Sequence, residues 1–270
     1  MESYWDLIKR IITESDLVLE ILDARLVELS RNEQVEKLIK EVGRPVIFVV
    51  NKSDLVDRDD LKEQVEKLKR DGDVVFISAK KKGDVKVLLF AIKRTFKKFG
   101  KRERIERRRF DPKPEYREAF GDIVVGVLGY PNVGKSSIIK MLAPGKKLKI
   151  SKKSGTTHGV HWINGKSGIK LIDSPGVIPL AREDEIRYGL IGAKDNEALK
   201  NPELVAHAVV KLFYKMGYEK FYNVNISDDV DKVIEDIGLK KGFLIKGGRV
   251  DENRVFSMII RDWQEGRLRL

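Results

Sequence analysis

GYPNVGKSS, residues 129–137, fits the pattern G-x-x-x-x-G-K-[ST] and follows DIVVGVL, an apolar run that reads as a buried strand. A glycine-rich turn between a strand and a helix lets backbone N–H groups wrap a diphosphate. At average residue usage a chance match in such a chain is on the order of one in a hundred. In this reading Pro131, Asn132, Val133, Gly134, Lys135, Ser136 and Ser137 surround the phosphates. Lys135 reaches the β and γ groups, Ser136 ligates Mg²⁺, and the helix starting near Lys135 contributes its N-terminal dipole.

Other apolar stretches ending in polar or glycine-rich turns lie on both sides of this loop: LVLEILD (17–23), PVIFVVNKSD (45–54), DVVFISAK (73–80) and GIKLIDSPG (168–176). Helical segments separate them, among them 59–70, with Leu61, Val65 and Leu68 on one face, and 85–99. Strands alternating with helices predict a parallel sheet covered on both faces. DSPG supplies a second phosphate element, in which Asp173 holds the Mg²⁺ shell and the Gly176 N–H touches a γ-phosphate. NKSD selects the base. The Asp54 carboxylate can accept from both N1–H and the exocyclic amine of guanine, donors that adenine lacks as a pair. Asn51 addresses the purine edge, the Lys52 stem packs over the ring, and Ser78 and Ala79, with Lys80 completing SAK, offer backbone N–H groups to the base oxygen. Alone, D-x-x-G or N-K-x-D is a common turn after a strand. Four such elements, each at a strand end, make coincidence a poor account.

Composition bounds the alternatives. With 270 residues and 41% hydrophobic side chains the chain can bury a core, and its length suggests two domains. Zero cysteines exclude disulfides and thiolate metal sites, and three scattered histidines, His158 and His161 among them, give no transition-metal set. The longest clean apolar run, 87–92, is far too short to span a bilayer, so a cytoplasmic protein without a membrane partner is expected, as a monomer. After about residue 181 the pattern becomes helical. Asn201-Pro202-Glu203 starts one helix, Ser227 precedes a second that Gly238 ends, and a third runs from Asp251 or Glu252 to about Glu265, closed by Gly266. The expected division is a nucleotide-binding domain at 1–181, with a basic joining segment at 97–122, and a helical domain at 182–270.

NKSD, SAK, GYPNVGKSS, SGTTHG and DSPG resemble the five guanine-nucleotide motifs in the order four, five, one, two, three, the signature of circularly permuted GTPases. DARLVELSRN (23–32) and GGRVDENRVFSMIIRDWQEGRL (247–268) are similar to the YlqF/YawG branch, whose members are ribosome-assembly GTPases. The resemblance implies an α/β P-loop GTPase fold, doubly wound on a mostly parallel sheet, with a small helical C-terminal domain. It implies GTP and GDP as ligands, slow hydrolysis to GDP and phosphate, and the large ribosomal subunit or its rRNA as partner. Either Thr156 or Thr157 could cap Mg²⁺, and the family pattern favours Thr157, which with Lys135 and Gly176 makes the catalytic set. Val177 stands where Ras-type enzymes carry a water-orienting glutamine, and an aliphatic side chain cannot do that work. Asn132 resembles the asparagine that helps hold K⁺ in hydrophobic-substituted GTPases, making K⁺ a second candidate cofactor. Two further readings fit part of the sequence: a nucleotide-gated RNA-binding scaffold without important turnover, and a P-loop ATPase with an accidental NKSD. Charge bears on the partner. Residues 97–172 carry 19 basic against 6 acidic side chains, net +13 in a chain of net +12, concentrated in KRERIERRR (101–109) and KKLKISKK (146–153).

Overall fold

The structure is a computed structural model and describes residues 4–57, 59–102, 122–145, 161–173, 184–214, 221–225 and 227–268. Two compact units emerge, Met1–Asp54 with Arg58–Ile178, and Leu55–Asp57 with Pro179–Leu270.

In the first unit, α1 (Tyr4–Glu14) precedes β1 (Leu17–Asp23), α2 (Glu33–Val42), β2 (Val46–Asn51), α3 (Lys62–Asp71), β3 (Asp73–Phe76) and α4 (Asp84–Phe99). β4 (Ile123–Leu128), α5 (Lys135–Leu142), β5 (His161–Asn164) and β6 (Ile169–Asp173) follow. The strands form one six-stranded sheet in the order β3-β2-β1-β4-β6-β5. All neighbours are parallel except β5, which lies antiparallel on the edge. That edge strand is not legible in the sequence: HWIN is four residues long, too short for alternation to register.

Every residue of β1, β4 and β6 is buried, as expected for strands with helices on both faces. Ile8, Ile11 and Ile12 of α1 and Val35 and Ile39 of α2 pack on Val18, Val124, Leu128 and Ile172, forming one core layer. The spacing of these residues is helical, and full burial of such side chains contributes about 1.5–3 kcal/mol each. Asp16 joins the sheet to the chain leaving α4. Its carboxylate accepts from Val124 N at 2.8 Å and from both the backbone N–H and the guanidinium of Arg102 at 3.1 and 2.8 Å.

The second unit is helical, with α6 (Glu185–Leu190), α7 (Pro202–Tyr214), α8 (Val230–Lys241) and α9 (Glu252–Gln264) packed on one another. Trp263, fully buried, donates its indole N–H to Leu190 O at 2.6 Å. α8 departs from the sequence expectation: it is capped by Asp229 and runs past Gly238 to a left-handed Gly242. Gly238 is a packing glycine instead. A Cβ there would meet Val250 Cγ1 at 2.2 Å.

Candidate functional site

The registers of the parallel strands bring the motif residues to one edge of the sheet. Asp23 pairs with Asn51 across β1 and β2, Val50 with Phe76 across β2 and β3, Glu20 with Leu128 across β1 and β4, and Val127 with Asp173 across β4 and β6. NKSD, SAK, GYPNVGKSS and Asp173 therefore stand at the carboxyl ends of β2, β3, β4 and β6, with β1 between β2 and β4, where open α/β sheets bind ligands.

The phosphate loop is shaped by its glycines. Gly129 has φ +141° and a Cβ there would lie 2.6 Å from Ile21 O. Gly134 has φ +108° and a Cβ would lie 2.1 Å from Asn51 Nδ2. Only glycine meets both conditions. Asn132 also adopts positive φ, +59°, a conformation that asparagine tolerates. The Lys135 ammonium donates to Gly129 O at 2.8 Å and Tyr130 O at 2.7 Å, so it is held under the loop at the start of α5. Burial pushes its pKa down to about 8, with the Asp173 carboxylate opposing that shift. Ser136 and Ser137 follow in the first turn of α5.

Asn51 ties three motifs together. Its amide nitrogen donates to Val133 O at 2.8 Å, and its amide oxygen accepts from Ala79 N at 3.1 Å. Ser78 N donates to Asp84 Oδ2 at 2.7 Å, and Lys80 N to Ser78 Oγ at 3.3 Å. A base oxygen approaching Ala79 would have to share that N–H with Asn51. Asp54 lies in the short turn after β2, with the Lys80 ammonium 3.8 Å away. Lys52, at φ +61°, sends its ammonium to Asp23 Oδ2 at 2.6 Å. Burial lowers the Lys52 pKa, and Asp23 works against it.

Asp23, the first residue of DARLVELSRN, is the centre of a buried charge cluster whose pairings the motif itself does not reveal. It accepts from the Arg25 guanidinium at 3.0 and 2.8 Å and caps the turn that follows β1. Burial alone would raise its pKa, but Arg25 and Lys52 outweigh that and hold the carboxyl well below the usual carboxylate range. A second network runs behind the phosphate loop. Glu20, fully buried in β1, accepts from Asn32 N at 3.0 Å, while Asn32 caps α2 and donates to the Tyr130 hydroxyl at 3.2 Å. Glu20 Oε2 has no partner among the described residues, and burial, with Glu36 nearby, pushes the carboxyl pKa up to about 8. The sequence signal for it is an acid inside an otherwise apolar strand, LVLEILD.

Thr156, Thr157, His158, Gly176, Val177 and the basic runs 103–109 and 146–153 lie outside the described residues. Among the described residues no His, Cys, Asp and Glu cluster could hold a metal by itself, and no helix is long and apolar enough to cross a membrane.

The chain is similar to several known proteins. The family described as 50S ribosome-binding GTPase matches residues 124–241. The chain is 34% identical over 265 residues to a GTP-binding protein of Methanocaldococcus jannaschii, covering 97% of this chain and 65% of that one. It is 28% identical to Ribosome biogenesis GTPase A of Bacillus cereus, covering 96% and 88% of the two chains. Nucleolar GTP-binding protein 2 of Saccharomyces cerevisiae is 30% identical over 98% of this chain and 52% of its own length. The chain thus spans from about half to two thirds of most of these relatives. The crystal structure of GNP-bound YlqF from T. maritima superposes with a TM-score of 0.62 at 21% identity, covering 97% of this chain and 93% of that one, a likeness of fold.

Proposed function

We propose that the chain is a circularly permuted GTPase, a slowly hydrolysing GTP switch that acts on the large ribosomal subunit during assembly, a reading supported by its similarity to GTP-binding and ribosome-biogenesis proteins. The observation that carries this reading is Asn51, which links the base-reading corner to the phosphate loop and to Ala79 through two hydrogen bonds. Guanine would be held by Asp54, and the phosphates by the backbone of Pro131–Ser137 and by Lys135.

Mg²⁺ fits the donors available. A serine hydroxyl at the start of α5 and the Asp173 carboxylate at the end of β6 are hard oxygen ligands, and Lys135 balances their charge. Ser136 and Asp173 would hold the ion, with Thr157 completing the set. When bound, it neutralises charge developing on the β and γ phosphates. The protein's own contribution is positional. Lys135 would exchange its loop carbonyls for phosphate oxygens, and α5 would present its N–H groups to them. K⁺ beside Asn132 would add a second fixed positive charge. With Val177 unable to orient water, hydrolysis is expected to be slow until the ribosomal subunit completes the site.

The test is competition for the site. GDP should displace a fluorescent guanine nucleotide where ADP does not, and isolated large subunits should raise single-turnover GTP hydrolysis. Equal competition by ADP would return the chain to the ATPase reading. Binding without any subunit-stimulated turnover would favour an RNA-binding scaffold gated by GTP.

A further inference from the structure

α4 buries one face completely and turns the other to solvent. Leu88, Ala91, Ile92 and Thr95 point into the core against β1, β3 and α5. On the outer face Lys86, Phe90, Lys93 and Lys97 are all exposed and recur at the spacing that places them in one stripe along a helix. Beside that stripe lie Val87, Arg94 and Lys98. Phe90 is 67% exposed and Val87 50%, so a large apolar ring stands in water between lysines.

The acids near this face are already committed. Asp84, the helix's one carboxylate, accepts from Ser78 N, and Asp73 pairs with Arg94 and accepts from Thr95. Lys86, Lys93 and Lys97 make no ion pair among the described residues. From Lys86 to Lys97 the helix rises roughly 16 Å, enough to track several phosphates of a strand. Exposed cations are well solvated by water, but an exposed phenylalanine among them is not. A base stacked on the ring with its backbone on the lysines would satisfy both. Two apolar side chains are too few to enter a bilayer, which needs a broad apolar face.

From this arrangement we infer that the outer face of α4 is an RNA-docking surface, contacting backbone phosphates through Lys86, Lys93 and Lys97 and stacking an unpaired base on Phe90. The stripe is separate in sequence from the basic runs 101–109 and 146–153. It rests on the reading that the partner carries RNA. α4 starts six residues after Ser78, and its first carboxylate holds the Ser78 N–H, so the docked strand and the guanine-reading loop share one rigid element. Linkage then requires that RNA bound here and nucleotide bound beside SAK change each other's affinity by the same factor.

The experiment measures binding of a short fluorescein-labelled single-stranded RNA to the full chain by anisotropy across a salt series, with GDP affinity measured in parallel. Replacing Lys86, Lys93 and Lys97 together by glutamine should flatten the slope of log affinity against log salt by about 2, some 0.7 for each phosphate that is no longer neutralised. Phe90→Ala should lower affinity roughly tenfold without changing that slope, and Phe90→Trp should restore it. GDP affinity of all variants, measured without RNA, should match the parent chain, which also reports that they fold. Parental RNA affinity and salt slope in these variants would overturn the surface while leaving RNA as a partner. Failure of the parent chain itself to bind RNA would overturn both. Binding of phosphatidylserine vesicles that disappears in the same variants, with RNA binding kept, would assign the face to a membrane instead.

Discussion

In the proposed site, Asp54 and Asn132 are the positions where the demands on ligand chemistry would be narrowest. On the proposed reading the Asp54 carboxylate would accept from both donors of guanine, so Asp54→Asn should weaken GDP binding by about 2–3 kcal/mol, the value of a charge-assisted pair, and shift preference to xanthosine nucleotides. Calorimetric titration of both nucleotides checks this, and unchanged discrimination would remove Asp54 from base reading. At Asn132 the expected effect is ionic. Hydrolysis should run faster in K⁺ than in Na⁺ at equal ionic strength, and Asn132→Ala should abolish the difference. Phosphate release measured in the two salts decides it, since a K⁺ effect that survives the substitution places the ion elsewhere.

Within the elements, the sharpest consequence comes from an acid in the middle of β1. Glu20 has its folded-state pKa raised from 4.5 to about 8, so between those values the folded chain holds a proton that the unfolded chain has released. Stability is therefore lost as pH rises from about 4.5 towards 8. Glu20→Gln, neutral throughout, should match the parent near pH 4.5 and exceed it near pH 8.5 by on the order of a few kcal/mol. Melting curves at the two pH values are the check, and a constant difference would mean that Glu20 does not carry the titration. Much of this unit is legible in sequence. LVLEILD is β1 to the residue, and the expected helix 85–99 begins one residue earlier, at Asp84. Both segments combine an apolar period with a clear break at each end. α1 and α2 are harder, because charges between their apolar positions look like solvated chain until a sheet is present to receive them. The Glu20–Asn32–Tyr130 network is illegible for another reason: Asn32 and Tyr130 are 98 positions apart, and no local pattern marks such a pair. Asp23 belongs to the same class, since its partner Lys52 meets it only once β1 and β2 are in register.

Over the whole molecule the charge is unevenly placed. Residues 123–172 contain no acid at all, and KKLKISKK falls within them. Neutralising Lys146, Lys147, Lys149, Lys152 and Lys153 should lower affinity for large subunits and reduce its salt dependence, with GDP affinity kept. Filter binding of subunits across a salt series measures both. Unchanged binding, with loss on substitution of Lys240, Lys241 and Lys246 instead, would move the RNA-binding surface to the helical unit.

The strand order also has a bearing on how the chain is made. β1 lies between β2, which follows it closely, and β4, which does not begin until Ile123. A ribosome synthesising this protein therefore releases β1, β2 and β3 together with their helices while one side of β1, buried along its whole length in the finished molecule, still waits for its neighbour. For the time taken to add roughly a hundred residues, several seconds at ordinary elongation rates, the nascent chain presents an open apolar strand edge, the kind of surface that chaperones cover and that other nascent chains can pair with.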